Sequence, residues 1–139
     1  MKIINATMEH ISLLKDAEAR IFSDAWSEKA LASHLSLPTS RALLAMDEEG
    51  KMLGYLLGCV IAPEGEVYRI ATLPEARRQG VGHALLNAFL PEAEECFLEV
   101  REGNAPARAL YEAHGFALVA TRKKYYKDPE EDAAIYKRG

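Results

Sequence analysis

This chain has only two cysteines, Cys59 and Cys96, and a single tryptophan, Trp26. The cysteines lie far apart with no Cys-x-x-Cys pair, and the four histidines are scattered. Neither a disulfide framework nor a protein-only metal site is indicated. Two buried structural thiols in a reducing, cytoplasmic compartment are the expectation. Basic charge is not in excess: 17 Lys and Arg stand against 21 Asp and Glu, a net charge of −4. That argues against nucleic acid as the main ligand, which needs a basic face, and suits a basic partner. Long apolar runs are missing too. The longest, residues 52–62, is too short to cross a bilayer, and no signal-peptide pattern opens the sequence. Without linkers, repeats or low-complexity segments, residues 1–139 read as one globular domain, expected as a monomer or weak dimer.

Periodicity supplies the elements. Residues 2–6 read as a strand, and Thr7 can cap a helix over 9–22 with Ile11, Leu14, Ala17 and Ile21 as its apolar stripe. Ser27 caps a second, shorter helix that ends before Pro38. Residues 41–46 and 52–61 form a hairpin around Asp47-Glu48-Glu49-Gly50, and 66–73 a fourth strand closed by Pro74. The helix after Gly82 runs through Phe89, where Pro91 kinks or restarts it. A strand at 96–101, a helix at 106–114 stopped by Gly115, and strands at 116–126 and 133–137 follow. This order predicts an α/β fold with a mixed central sheet flanked by helices on both faces. Its β-α-β-α portion, residues 66–114, should hold the site.

Residues 77–86, Arg-Arg-Gln-Gly-Val-Gly-His-Ala-Leu-Leu, place two glycines after a basic pair and directly before an apolar helix. Glycine allows a sharp turn and leaves no Cβ in a ligand's way. A helix starting there aims unpaired N–H groups and its positive dipole end at whatever lies in front, an arrangement suited to phosphate. A tight strand-to-helix connection is the plain alternative. A dinucleotide fold fits poorly, since the third glycine and a parallel doubly wound order are missing. No Gly-Lys-Ser/Thr follows, which excludes a Walker A loop.

The second informative stretch is 97–116, Phe-Leu-Glu-Val-Arg-Glu-Gly-Asn-Ala-Pro-Ala-Arg-Ala-Leu-Tyr-Glu-Ala-His-Gly-Phe. Within it Glu99 is an oddity, a carboxylate in a central strand where both faces are normally apolar. It reads either as an ion-pair partner of Arg101 or Arg108, or as a general base. Together the two stretches resemble the GNAT acetyltransferase superfamily: residues 77–82 match its Arg/Gln-x-x-Gly-x-Gly/Ala loop. Residues 104–116 match Asn-x-x-Ala-x-x-Leu-Tyr-x-x-x-Gly-Phe, with Ala107, Leu110 and Tyr111 in place. Trp26-Ser27-Glu28, Leu98-Glu99-Val100-Arg101, Arg122-x-x-Tyr125-Tyr126 and Glu131-Asp132-Ala133 narrow the likeness to the bacterial ribosomal-protein-alanine N-acetyltransferases, the RimI family. Ala25 and Thr72 depart from that pattern, where Pro and Val are usual.

The resemblance implies transfer of an acetyl group from acetyl-CoA, without a metal, to a basic protein N-terminus, the N-terminal alanine of small-subunit ribosomal protein 18. It implies that the amides of Arg78, Gln79, Gly80, Val81, Gly82 and His83 wrap the pyrophosphate, with Arg77 and Arg78 adding charge. The fourth-strand backbone at Ile70, Ala71 and Thr72 would hold the pantetheine arm and the acetyl carbonyl. Asn104 would hydrogen-bond that arm, or simply cap its helix. Glu99 would serve as general base and Tyr111 as general acid. Trp26, Tyr125 and Tyr126 are candidates for a peptide groove, Trp26 equally for the core. An α-amine of pKa about 8 is roughly 3 kcal/mol easier to deprotonate at neutral pH than a lysine of pKa about 10.4, which suits a single carboxylate. Other acceptors, a lysine side chain, polyamine or antibiotic, keep the same fold, and a non-catalytic acyl-CoA-binding module is the alternative of another class.

Overall fold

The apolar runs become seven strands of one sheet, and the helices that join them cover both faces. The computed structural model describes residues 1–139. Its strands are β1 (Lys2–Asn5), β2 (Ser40–Met46), β3 (Met52–Ile61), β4 (Glu64–Thr72), β5 (Glu95–Arg101), β6 (Ala117–Tyr126) and β7 (Glu131–Arg138). Its helices are α1 (Ile11–Ile21), α2 (Glu28–Ser36), α3 (Val81–Phe89) and α4 (Ala105–Ala113). The sheet order is β1-β2-β3-β4-β5-β7-β6, antiparallel except for the β4–β5 pair. A mixed sheet with helices on both faces is what the sequence order predicts.

Local chemistry sets the helix starts. Ser27 Oγ accepts from the Ala30 N–H at 3.1 Å, and Asn104 Oδ1 from the Ala107 N–H at 3.2 Å, each satisfying an amide of the first turn. Thr7 caps the 3-10 turn that leads into α1. The third helix differs. It begins at Val81, so Gly82 lies inside its first turn rather than before it, and no side chain caps it.

Two cores sandwich the sheet. Leu14, Leu31, Leu44, Tyr55 and Leu57 pack under α1 and α2, while Leu56, Leu85, Leu86, Phe89, Leu98 and Tyr136 pack under α3 and α4. Each such side chain removed from water contributes about 1.5–3 kcal/mol. The sheet is interrupted at its centre. The parallel β4–β5 pairing runs from Glu64↔Glu95 only to Val67↔Leu98. Residues 68–72 and 99–101 then diverge, leaving a gap that neither strand fills. A bulge adjoins it: Leu57 pairs with Arg69 but Gly58 with Val67, so Tyr68 is the extra residue of β4.

Candidate active site

The gap between β4 and β5 opens into two cavities that meet beneath it. One, about 610 Å³, is lined by Ile70, Ala71, Thr72, Arg77, Arg78, Gly80, Val81, Gly82, His83, Asn104 and Tyr111, among others. The other, about 540 Å³, is lined by Ser23, Asp24, Trp26, Glu66, Tyr68, Arg69, Glu99, Tyr125 and Tyr126, among others. A junction of about 370 Å³ touches Tyr111, Asn104, Glu99 and Tyr126 together.

The first cavity faces the uncapped start of α3, whose first-turn N–H groups have no acceptor within the helix. Two residues of the preceding loop are left-handed, Gly80 at φ +78° and Arg78 at φ +66°. Glycine adopts this freely, but for arginine it costs about 1–2 kcal/mol. Stored strain of this kind concentrates where a ligand is gripped. Gly82 serves differently: a Cβ there would stand 2.7 Å from Leu110 Cδ2, so its absence lets α3 and α4 approach. Arg77 and Arg78 both line this cavity, and neither is engaged by a carboxylate. Of the predicted loop residues, Gln79 alone is exposed and off the cavity wall. His83 Nδ1 lies 2.8 Å from His114 Nε2, a contact between α3 and the end of α4 that the sequence did not suggest.

Asn104 realises the cap rather than leaving its carbonyl free; its amide nitrogen remains available to the cavity. Tyr111 is 5% exposed, its ring wedged against Phe116 and Tyr136 at centroid distances of 5.9 and 6.3 Å. Burial pushes its hydroxyl above the usual tyrosine pKa, so it holds its proton at neutral pH.

Glu99 pairs with neither Arg101 nor Arg108. Arg101 turns to Glu131 at 3.3 Å, and Arg108 Nε donates to the Tyr136 hydroxyl at 2.8 Å. The ion pair Glu99 does make is with Arg122 of β6, at 3.6 Å. Arg122 in turn lies over the Tyr125 ring, 5.2 Å from its centroid. The Tyr125 hydroxyl is raised chiefly by its hydrogen bond to Glu99. Glu66, which shares this cavity, is held above the usual carboxylate range by burial and by the charge of Glu99. Trp26 packs on the α1–α2 core and also forms cavity wall beside Tyr68. Cys59 accepts from the Tyr68 hydroxyl at 3.1 Å, and burial pushes Cys96 up to about 11.

One cluster escaped the sequence reading. Glu18 of α1 is fully buried and accepts from the Trp26 N–H at 2.9 Å, the Tyr55 hydroxyl at 2.5 Å and Arg69 Nη2 at 3.0 Å. The signal was present: Glu18 stands seven residues after Ile11 and four after Leu14, inside the apolar stripe. No three His, Cys, Asp or Glu side chains are arranged to hold a metal ion, and no helix is long and apolar enough to cross a membrane.

The comparisons agree with this geometry. The Acetyltransferase (GNAT) family model matches residues 11–116. The [Ribosomal protein bS18]-alanine N-acetyltransferase of Escherichia coli (strain K12) is 38% identical over 126 residues, covering 85% of this chain and 83% of that protein. A putative [ribosomal protein bS18]-alanine N-acetyltransferase of Bacillus subtilis (strain 168) is 29% identical over 136 residues, covering 94% and 90%. The crystal structure of the ribosomal-protein-S18-alanine N-acetyltransferase from Escherichia coli superposes with a TM-score of 0.90 at 32% identity, covering 99% of this chain and 92% of that one. With an uncapped helix start behind a strained Arg-Gly loop, a split sheet and this likeness over most of its length, the chain is an acyltransferase and belongs to the acetyltransferase (GNAT) family.

Proposed function

We propose that this protein transfers the acetyl group of acetyl-CoA to the N-terminal amine of a protein, with the N-terminal alanine of ribosomal protein bS18 as acceptor. The observation that carries the reading is the junction, where Tyr111 on the first cavity and Glu99 on the second meet under the β4–β5 gap. The amides at the start of α3, with Arg77 and Arg78, hold the pyrophosphate. The pantetheine arm lies along Ile70, Ala71 and Thr72, whose edge toward β5 has lost its pairing. Asn104 supplies its amide nitrogen to the arm.

The acceptor enters from the second cavity, where Asp24, Glu66 and Glu99 favour a cationic N-terminus. Trp26, Tyr125 and Tyr126 wall it. Glu99 takes a proton from the ammonium, and the free amine attacks the thioester carbonyl directly. The new C–N bond forms as the C–S bond breaks, and the nitrogen releases its second proton to water as it becomes the amide. Tyr111, kept protonated by its burial, donates to the departing sulfur. No enzyme thiol forms an intermediate in this scheme, since Cys96 is buried and resists ionisation.

The test is to incubate the protein with acetyl-CoA and peptides that differ only in their first residues, and to locate the acetyl group by mass spectrometry. Acetyl on the α-amine of an Ala-initiated basic peptide is expected. Acetyl on lysines but never on that α-amine would overturn the acceptor assignment, and no CoA release with any amine would favour a binding module.

A further inference from the structure

Arg69 is bound from three sides. It ion-pairs with the buried Glu18 through Nε and Nη2, donates from Nη2 to the Asp24 carbonyl at 2.9 Å, and meets Asp24 Oδ1 through Nη1 at 3.4 Å. Its guanidinium also stacks on Phe22, 3.8 Å from the ring centroid. Phe22 and Asp24 belong to the connection between α1 and α2, and Glu18 itself accepts from the backbone of Trp26 in the same connection. Residues 22–26 are therefore tied to the sheet by one arginine and one carboxylate. The bulge at Tyr68 makes this possible. In an unbroken strand Tyr68 and Arg69 would point to opposite faces. Here both reach the α1–α2 side, Tyr68 toward Trp26 and His34 at 6.3 and 5.9 Å between ring centroids, and Arg69 toward Glu18.

The tied segment is cavity wall. Phe22 lines the first cavity and the junction, Ser23 and Asp24 the junction and the second cavity, and Trp26 the second cavity. Tyr55 on β3 fixes the far oxygen of Glu18, so the carboxylate cannot rotate away from Arg69. With Glu18 fully buried and Arg69 12% exposed, both charges are largely shielded from water. Removing one of them leaves the other without compensation.

We propose that Arg69 and Glu18 are positioning residues for the acceptor: they hold residues 22–26 as the rigid wall against which the first acceptor residue is measured. This rests on the reading of the second cavity as the acceptor channel. The pyrophosphate end of the donor site stands apart from the clamp: the start of α3 and its loop make no hydrogen bond with Glu18 or Arg69, and of residues 22–26 only Phe22 reaches the first cavity. Loosening the wall raises the acceptor KM and blurs discrimination at the first residue, with kcat and acetyl-CoA binding little changed.

The test uses Arg69→Met, Arg69→Lys and Asp24→Ala, the last at an exposed position that leaves the buried pair intact. Steady-state kinetics with an Ala-initiated peptide should show the peptide KM raised about tenfold in Arg69→Met, while Asp24→Ala, whose carboxylate also faces the acceptor, is read through Trp26 emission. Arg69→Lys, which keeps the charge but not the fork, should recover part of the loss. The preference for Ala- over Leu-initiated peptide should shrink in Arg69→Met, while the acetyl-CoA KM and kcat stay within about twofold. Trp26, the only tryptophan, gives a readout independent of activity. Its emission should shift to the red in Arg69→Met and Asp24→Ala. A folded Arg69→Met with unchanged Trp26 emission, or with loosened emission but an unchanged peptide KM, overturns the proposal. If the parent protein acetylates no peptide, it is the acceptor reading that fails, and Trp26 emission alone then decides whether Arg69 orders the segment.

Discussion

Removing one oxygen from Tyr111 separates two ways of helping a thiolate leave. A thiol has a pKa of about 8.5 and a free tyrosine about 10, so handing over the proton is uphill by roughly 2 kcal/mol even in water. Burial raises the Tyr111 hydroxyl further and widens that gap. Complete proton transfer is therefore the weaker contribution, and a hydrogen bond donated to developing charge is the stronger one. Such a bond is worth about 1.5–3 kcal/mol, which converts to about 10- to 150-fold in kcat. Tyr111→Phe keeps the ring that packs on Phe116 and Tyr136, so the melting temperature should be unchanged. Released CoA, titrated with a thiol-reactive dye, gives kcat with both substrates saturating. Since the hydroxyl does not ionise below about pH 9, the ratio of parent to variant should be constant from about pH 6.5 to 9. A variant within twofold of the parent would show that the hydroxyl never meets the sulfur. A loss beyond about 10³ would show that proton transfer is obligatory.

Glu99→Gln should cost more than Tyr111→Phe, about 10²–10³ in kcat at pH 7, and the deficit should narrow above about pH 8 as the acceptor amine loses its own proton; a deficit independent of pH would remove Glu99 from the role of base. Changing Arg77 and Arg78 together to Ala should raise the acetyl-CoA KM at least about tenfold and flatten its dependence on salt, and an unchanged KM would return both to a solvated face. Gly58→Ala drives a Cβ onto the Glu66 carbonyl oxygen and to 3.3 Å from the Phe89 ring, so thermal denaturation should show a loss of about 2–4 kcal/mol; a stable variant would mean that β3 and β4 can part at the bulge. Burial raises Tyr55, Tyr111, Tyr126 (to about 12) and Cys96 (to about 11). These groups keep protons that the unfolded chain releases, so their contribution is complete below about pH 8.5 and is lost as pH rises from there toward the folded values; a melting temperature flat from pH 8 to 11 would contradict the burial of these groups.

The donor half of the site was open to sequence reading because it is local. A loop, a helix start and a strand end, all within 70–83, supply most of its wall, and each follows from backbone chemistry that a few residues dictate. Gly80 takes a positive φ and the apolar run after it can only be a helix. What spacing could not give was the division of labour between the glycines. Gly80 makes the turn, whereas Gly82 is required by Leu110, which stands 28 residues further on. The partner of Glu99 was misplaced for the same reason. Arg101 and Arg108 are close in sequence, but β7 lies between β5 and β6, and the register across both pairings sets Ala120 in line with Glu99 and Arg122 two residues along, within reach of its carboxylate.

The acceptor half draws on the α1–α2 connection, β4, β5 and the end of β6, so no single stretch encodes it. Its two least legible residues depend on a one-residue irregularity. Period-two reasoning puts Arg69 on the face opposite Tyr68, where its charge would meet the α3 core beside Val67. The bulge reverses that assignment and gives Glu18, a carboxylate set within the α1 stripe, a partner that makes it the anchor of the cavity wall. An apolar pair at 18 and 69 would hold α1 to the sheet as well or better, since burying two charges consumes most of what their attraction returns. It would not reach Asp24 or the Trp26 amide. The charged pair is thus better explained by the segment it immobilises than by the stability it adds.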